Sequence, residues 1–380
     1  MKNYTLIVVL LSAIVTISSL YIAQPMQPLF IEIFQISIAE VTLFTSIALL
    51  TLAFAPIVYG YLLEKFNTKF IFCASLSLMG IFQFSLIFSE TYGQFLTLRI
   101  LEALMIPAAL TATLTTLTKI DSSNTQKYVS LYVAATVFGG VLSRVGGGIL
   151  TSLISWQFTF ATLGISSIII ALLALKIPAS KNLTSAKLTP QTILQTLKNK
   201  KFALIYLGAF LVLFCFSSAL NFMPFQAKKI LPNITPAQIG FLYTGYLVGI
   251  LTALISYKIV KWLKGQINAI VVGFFIFSLA PLIMLTPSFW WLFFAVFILC
   301  IGMFIAHSTL SSLVNSISNT QKGITNGLYL AFYYTGGTIG TTLPSIIYKN
   351  FGWEVLCLIL SGILILSGIL FFMLKNIFKG

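Results

Sequence analysis

Twelve long apolar stretches run through this chain, and only three formal charges lie deep inside any of them: Arg99, Glu102 and Arg144. That pattern constrains the fold more than any motif does. Windows of about 20 residues place the stretches near 5–30, 40–62, 69–89, 92–118, 127–152, 155–176, 202–226, 237–257, 267–286, 289–317, 323–347 and 354–374. Each is continuously apolar, unlike the ten-residue alternation of a barrel strand. In lipid the backbone must satisfy its own hydrogen bonds, which a helix does within one segment. The chain is 58% hydrophobic and 8% charged, whereas a soluble protein carries about a quarter charged residues. The expected fold is therefore an all-α membrane protein with twelve transmembrane helices.

The net charge of +15 is an orientation device. Seventeen of the 22 basic residues fall on one side of the alternating spans, three fall on the other, and Arg99 and Arg144 lie within spans. An excess of Lys and Arg marks the cytoplasmic side, so both termini are expected there and no nucleic-acid partner is expected. The first 23 residues share the n-region and apolar run of a signal peptide. The run continues through Gln24, Pro25 and Pro28, however, so an uncleaved first helix is expected. The four cysteines sit in four different spans without CxxC spacing, which predicts neither a disulfide framework nor a metal site.

The spans divide into two halves of six, residues 1–176 and 202–380, joined by a polar linker at 177–201. Within the linker, Pro190 stands at the first position of a short helix, with Ile193, Leu194 and Leu197 on one face. The segment reads as an amphipathic surface helix on an anionic leaflet or as a solvated connector. An offset of 198 carries Leu101, Met105, Ala108 and Thr111 onto Leu299, Met303, Ala306 and Thr309. The same offset carries Asn67 onto Gly265, and Ser155-Trp156 falls one residue from Gly352-Trp353. Six helices return the chain to its starting side, so the halves are parallel repeats. Transporters built on that plan hold substrate near the mid-membrane.

Three segments resemble motifs of the major facilitator superfamily. Gly60-Tyr-Leu-Leu-Glu64-Lys65-Phe-Asn67-Thr-Lys69 resembles the loop after its second span, with Glu64 for the usual Asp, Asn67 for Gly and Thr68 in a basic slot. Asn tolerates a left-handed turn, which suits the glycine position. Arg99 with Glu102 resembles the fourth-span motif. Gly139-Gly-Val-Leu-Ser143-Arg144-Val-Gly-Gly147-Gly148 resembles the antiporter motif, with Ser143 for Gly and Arg144 for Pro. Arg144 in that slot, with Tyr21-Ile-Ala-Gln24-Pro25 in the first span, is similar to the arabinose-efflux-like, drug–proton antiporter branch. The resemblance implies a bacterial cytoplasmic (inner) membrane location, a monomer that needs no cofactor, and a gate at Gly60, Glu64, Lys65, Lys69, Gly139, Gly147 and Gly148.

The intramembrane charges carry the functional expectation, because a charge at the bilayer centre costs at least about 2.5–3.5 kcal/mol. Arg99 and Glu102 are three residues apart and share a helix face. At 1.5 Å per residue from Tyr92, Glu102 lies about 15 Å deep. Arg144 falls at a similar depth on the next span, so all three are expected in one cluster. That cluster is either a neutralised latch between spans four and five or a coupling site. In the second case Glu102, with Arg99, binds and releases a proton. Burial favours a neutral carboxyl while a nearby arginine favours the ionised one, and the balance can change between states.

Arg144 is a candidate substrate ligand, with Tyr21, Gln24, Asn221 and His307 as further candidates beside prolines Pro25 and Pro224 or within a span. Interhelical hydrogen bonding is the plainer reading of Tyr21, Gln24 and Asn221, and a satisfied buried imidazole that of His307. The glycines are expected to allow close helix approach. No GxxxxGK[ST] loop is present, so ATP-driven transport is not expected. The sequence thus predicts a transporter, not an enzyme, that exports a small organic molecule in exchange for protons. The alternative is proton-coupled import of an organic anion, for which the arginine excess speaks.

Overall fold

The computed structural model describes residues 2–118, 120, 125–178, 190–318 and 322–378, apart from the side chains of Pro56, Ile57, 60–65, 125–127, Pro190, Thr192 and Lys322. The regular structure is helical. Two compact units are present: Met1–Ser185 with Ile234–Thr244, and Ala186–Asn233 with Gly245–Gly380. Among the described residues, eleven helical segments are long and apolar enough to cross a membrane. The predicted eleventh span is present as a 21-residue helix, Lys322–Thr342, but does not pass on composition. Its sequence is interrupted by Gly, Thr and Tyr, which lower its hydropathy without preventing helix formation.

The first unit contains α1 (Lys2–Tyr21), α2 (Gln27–Phe34), α3 (Ile38–Lys65), α4 (Thr68–Ser85), α5 (Tyr92–Thr118), α6 (Thr125–Leu153), α7 (Trp156–Ala174) and the short α10 (Pro236–Leu242). α1 stops at Tyr21 because Pro25 cannot continue the helical hydrogen bonds, and a 3-10 turn, Gln24–Met26, leads into α2. An aromatic cluster ties α2, α3, α5 and α7 together. Phe30 packs on Phe44, Phe95, Trp156 and Phe160 at ring-centroid distances of 5.1–6.1 Å. The segment Ile234–Thr244 departs from the division expected at 202–380. Gly148 faces the Pro236 carbonyl and Gly240 faces the Arg144 carbonyl, so the missing side chains let α10 and α6 touch through their backbones. Ala237 N–H also donates to the Ser152 hydroxyl at 2.9 Å.

The second unit contains α8 (Pro190–Lys198), α9 (Lys200–Ile230), α11 (Tyr246–Trp262), α12 (Gln266–Ile283), α13 (Phe289–Ile317), α14 (Lys322–Thr342) and α15 (Pro344–Met373). α15 is two helices joined at Gly352, whose φ of 84° only glycine adopts without strain. Trp353 follows that break as Trp156 follows the Ser155 cap.

The two units repeat the same interhelical contacts. Ser18 Oγ donates to the Gly139 carbonyl at 3.0 Å between α1 and α6, and Ser218 Oγ donates to the Gly340 carbonyl at 2.8 Å between α9 and α14. Ser167 Oγ donates to the Leu76 carbonyl at 2.8 Å between α7 and α4, and Ser361 Oγ donates to the Ser278 carbonyl at 2.9 Å between α15 and α12. A Cβ at Gly139 would strike the Ile14 carbonyl, and one at Gly340 the Phe214 carbonyl. Backbone cannot yield as a side chain can. Gly340→Val is therefore expected to destabilise the protein by about 1–3 kcal/mol, the usual cost of overpacking. Thermal unfolding in detergent measures this, with Gly362→Ala as the control, since nothing lies within 4 Å of a Cβ there.

The loop after the second predicted span corrects one expectation. Asn67 is not left-handed: its φ is −59°, and it caps α4 by accepting from Lys69 N–H at 2.9 Å. A short acceptor at an N-cap satisfies a helix-terminal donor, which outweighs the tolerance of Asn for a left-handed turn. The corresponding loop of the second unit does use left-handed backbone, at Lys264 (φ 56°) and Gly265 (φ 149°).

Candidate functional site

The break that ends α1 builds the site. The last carbonyls of a helix lack intrahelical partners, and one of them, Leu20 O, accepts from Arg99 Nη2 at 2.9 Å. Arg99 reaches it from α5. Its Nε donates to the Phe44 carbonyl of α3 at 2.9 Å, and its Nη1 donates to Glu102 Oε2 at 2.7 Å. Both side chains of this ion pair are fully buried. The guanidinium thus ties three helices with one group, and its positive charge sits well at the negative end of α1.

Glu102 is satisfied on one side only. Oε2 holds Arg99, while Oε1 is buried without a hydrogen-bond partner. Ser19 interacts with the carboxylate from α1, yet its hydroxyl also lacks a partner at hydrogen-bonding geometry. A buried carboxylate oxygen left unpaired costs free energy, which protonation or a small rearrangement relieves.

Arg144 occupies a second setting, one residue further along α1. Its Nε donates to Gln24 Oε1 at 2.7 Å, and its Nη1 turns back to the Gly140 carbonyl at 2.8 Å. The guanidinium carbon lies 3.8 Å from the Tyr21 ring centroid and 5.1 Å from that of Tyr243. Two aromatic faces on a desolvated guanidinium supply cation–π attraction of about 2 kcal/mol. A Cβ at Gly140 would lie 3.1 Å from Arg144 Nη1, so a side chain there would push the guanidinium by a few tenths of an ångström.

The expected three-charge cluster is therefore two settings. Arg99 and Glu102 face Leu20, whereas Arg144 faces Tyr21 and Gln24. Arg99 takes the Leu20 backbone carbonyl, whereas Arg144 takes the Tyr21 ring, so α5 and α6 use different atoms of one turn. Depth alone could not reveal which atoms each arginine takes.

The remaining sequence candidates separate by unit. Tyr21, Gln24, Arg99, Glu102 and Arg144 come together in the first. Asn221 and His307 belong to the second. Asn221 Nδ2 donates to the Thr341 carbonyl at 3.4 Å, and α9 runs unbroken through Pro224. His307 Nδ1 hydrogen-bonds the Tyr329 hydroxyl at 2.9 Å, and the ring stacks on Tyr333 at 4.4 Å. Of the expected gate residues, Gly139 and Gly148 form the close contacts described above, and Gly147 faces the Ile22 and Met26 side chains. Lys69 lies in the first turn of α4. Gly60 lies within α3, and the side chains of Glu64 and Lys65 lie outside the described residues.

Sequence reasoning missed Ser19, Tyr243 and Gly140 as parts of these settings. The sequence marks Gly140 only as one of the close-approach glycines, and Ser19 lies two residues before Tyr21. Tyr243 had no local signal, since it reaches Arg144 through the docking of α10.

A fold with a charged pair at a broken first helix can be compared with known proteins. The family model for the Major Facilitator Superfamily matches residues 9–231 and again 230–377. The chain belongs to the major facilitator superfamily. It is a multi-pass membrane transporter, not an enzyme, and the bacterial inner membrane fits its bacterial relatives. The transporter is 24% identical to the Inner membrane transport protein YnfM of Escherichia coli, over 90% of this chain and 84% of the relative. It is 23% identical to the Uncharacterized MFS-type transporter YybF of Bacillus subtilis, over 89% of this chain and 85% of the relative. Among solved structures, a bacterial homologue of the human lysosomal transporter Spinster, inward-facing and unoccupied, superposes with a TM-score of 0.79. That pair is 14% identical, with 100% of this chain and 98% of that one covered. A single-residue mutant of the nucleoside transporter NupG also gives 0.79 at 14% identity, covering 99% of each chain.

Proposed function

We propose that the transporter exports a small organic molecule in exchange for protons, with Glu102 as the proton-carrying group and Arg99 as its partner. The observation that carries the reading is the half-satisfied state of Glu102: fully buried, paired through Oε2, and unpaired at Oε1. The pair is neutral only while Glu102 is ionised. A proton on Glu102 leaves the Arg99 charge uncompensated in low dielectric, so its uptake and release change the stability of one arrangement of α1, α3 and α5 relative to another. That gives a proton leverage over helix position, the requirement for alternating access.

Arg144, Tyr21 and Gln24 supply the substrate ligands of the first unit, and Asn221 and His307 those of the second. Glu64, Lys65 and Lys69 near Gly60, with Gly139, Gly147 and Gly148, form the gates. In this reading the 323–347 stretch completes twelve spans, and the lysine distribution supports cytoplasmic termini. The sequence halves are 1–176 and 202–380, of which Ile234–Thr244 packs with the first unit, and a single chain suffices.

A second reading is proton-coupled import of an organic anion. Its support is the buried guanidinium of Arg144, held beside the Gln24 amide, the Gly140 carbonyl and two tyrosine faces, since a guanidinium attracts an anion.

Inside-out vesicles with a respiration-driven proton gradient separate the readings. Proton release on adding dyes, antibiotics or sugars is expected for the exporter. Silence there, with gradient-driven uptake of an organic anion by right-side-out vesicles, supports the importer. Silence in both preparations removes proton coupling.

A further inference from the structure

The second unit carries thirteen lysines and one carboxylate, Glu354. No acidic residue lies anywhere between Asp121 and Glu354, so the stretch of chain that forms α8 and α9 is purely basic. Lys198 ends α8, and Lys200 and Lys201 begin α9, with Asn199 capping α9 between them. Lys198 and Lys200 are exposed and Lys201 is half-buried. The candidate span Lys200–Ile230 starts at these residues, which places them at the membrane boundary.

Directly on the span side of the lysines lies a groove of about 280 Å³, lined by Leu197, Ala203, Tyr206, Leu207, Phe210 and Phe332. Its wall is an aromatic stack. Tyr206 lies 5.4 Å from Phe332 and 6.1 Å from Phe202, with nearly parallel rings. The one polar side chain among the lining residues is Tyr206, and its hydroxyl is already committed to the Thr325 carbonyl at 3.1 Å. The groove therefore offers a polar ligand no uncommitted side-chain donor, while its rim is strongly cationic. The N-terminal end of α9 adds its own partial positive charge, which favours phosphate.

We propose that the junction of α8, α9 and α14 binds one anionic phospholipid, with an acyl chain in the groove and the headgroup phosphate against Lys198, Lys200 and Lys201. An apolar trough beneath a cationic rim complements an amphiphile with an anionic head. Each lysine near an anionic headgroup contributes about 1 kcal/mol, or roughly fivefold in affinity. Three acting together predict a preference on the order of a hundredfold for an anionic over a zwitterionic lipid of the same chains.

The test uses the full chain in detergent, with dioleoylphosphatidylglycerol and dioleoylphosphatidylcholine retention measured by native mass spectrometry. Lys198→Gln/Lys200→Gln/Lys201→Gln is expected to lose phosphatidylglycerol affinity on the order of a hundredfold and leave phosphatidylcholine unchanged. Ala203→Trp keeps every lysine and fills the groove from an exposed position, so it is expected to cost at least about tenfold. Lys258→Gln/Lys261→Gln/Lys264→Gln, in the lysine cluster at the end of α11, is the control and is expected to leave retention unchanged. Equal retention of the two lipids by the wild type overturns the proposal. So does full retention by Ala203→Trp, which leaves only surface charge, or an equal loss in the control, which leaves only net charge. Lys198, Lys200 and Ala203 are exposed and Lys201 is half-buried, so a thermal melt of each variant separates lost binding from lost folding.

Discussion

Glu102→Gln is expected to abolish substrate-driven proton release while leaving the protein in the membrane. Glutamine keeps the shape of the side chain and an oxygen that accepts from Arg99 Nη1, so the 2.7 Å contact has a neutral replacement. What disappears is the negative charge. Arg99 keeps its bonds to the Phe44 and Leu20 carbonyls but becomes a buried charge without a counter-charge. Breaking a buried pair from one side costs about 3–5 kcal/mol, so a lower melting temperature is expected along with the lost coupling. The double variant Arg99→Gln/Glu102→Gln separates the two effects. Removing both charges of a buried pair is often neutral or stabilising, so it should recover thermal stability without recovering proton release. Full proton release by Glu102→Gln would falsify the proton role. Recovery of coupling in the double variant would reduce the pair to a structural latch.

Arg144→Ala is expected to carry the second large effect. It removes a charge held by Gln24, Gly140 and two tyrosine faces. The cation–π share, about 2 kcal/mol, holds the guanidinium in place, while a lost charge-assisted hydrogen bond to substrate costs about 1.5–3 kcal/mol, roughly tenfold to a hundredfold in affinity. Arg144→Lys should not rescue it, because a compact ammonium cannot hold the Gln24 and Gly140 oxygens and lie flat against Tyr21 at once. The informative readout is the thermal shift produced by added substrate. Loss of that shift with little change in the unliganded melt assigns Arg144 to substrate. A lower unliganded melt with the substrate shift and transport intact assigns it to holding α1, α6 and α10 together.

The two settings also explain why a single turn of α1 concentrates so much chemistry. Pro25 ends the helix, which frees carbonyls at its end, and it does so inside the candidate span Lys2–Phe34, where lipid supplies no water to replace the lost bonds. Arg99 takes one of those carbonyls, and the side chains of the next turn, Tyr21 and Gln24, take Arg144. A shift of that turn would therefore be felt by both arginines. Pro224 does not act the same way in the second unit, where α9 continues to Ile230 and Asn221 bonds to the α14 backbone.

Apolar length and the placement of lysines were enough to foresee a helical membrane protein built in two similar halves, because lipid allows a long apolar segment little besides a helix. The pairing of Arg99 with Glu102 was legible for the same local reason: three residues on one helix share a face. Whatever depended on which atoms a side chain meets or on a distant backbone was not legible. Arg144 has the depth to join that pair, yet it is held by the side chains of Tyr21 and Gln24, which spacing along α6 does not reveal. Tyr243 reaches Arg144 only because Gly148 and Gly240 let α10 settle on α6, and nothing around residue 243 announces that contact. Asn67 looked like a stand-in for a turn glycine and became a helix cap, since one backbone donor at Lys69 decided between two acceptable geometries. Periodicity and hydropathy are sums over many residues and survive local detail. A site is set by a few atoms within about 3 Å of one another, and only the packing of helices brings those atoms together.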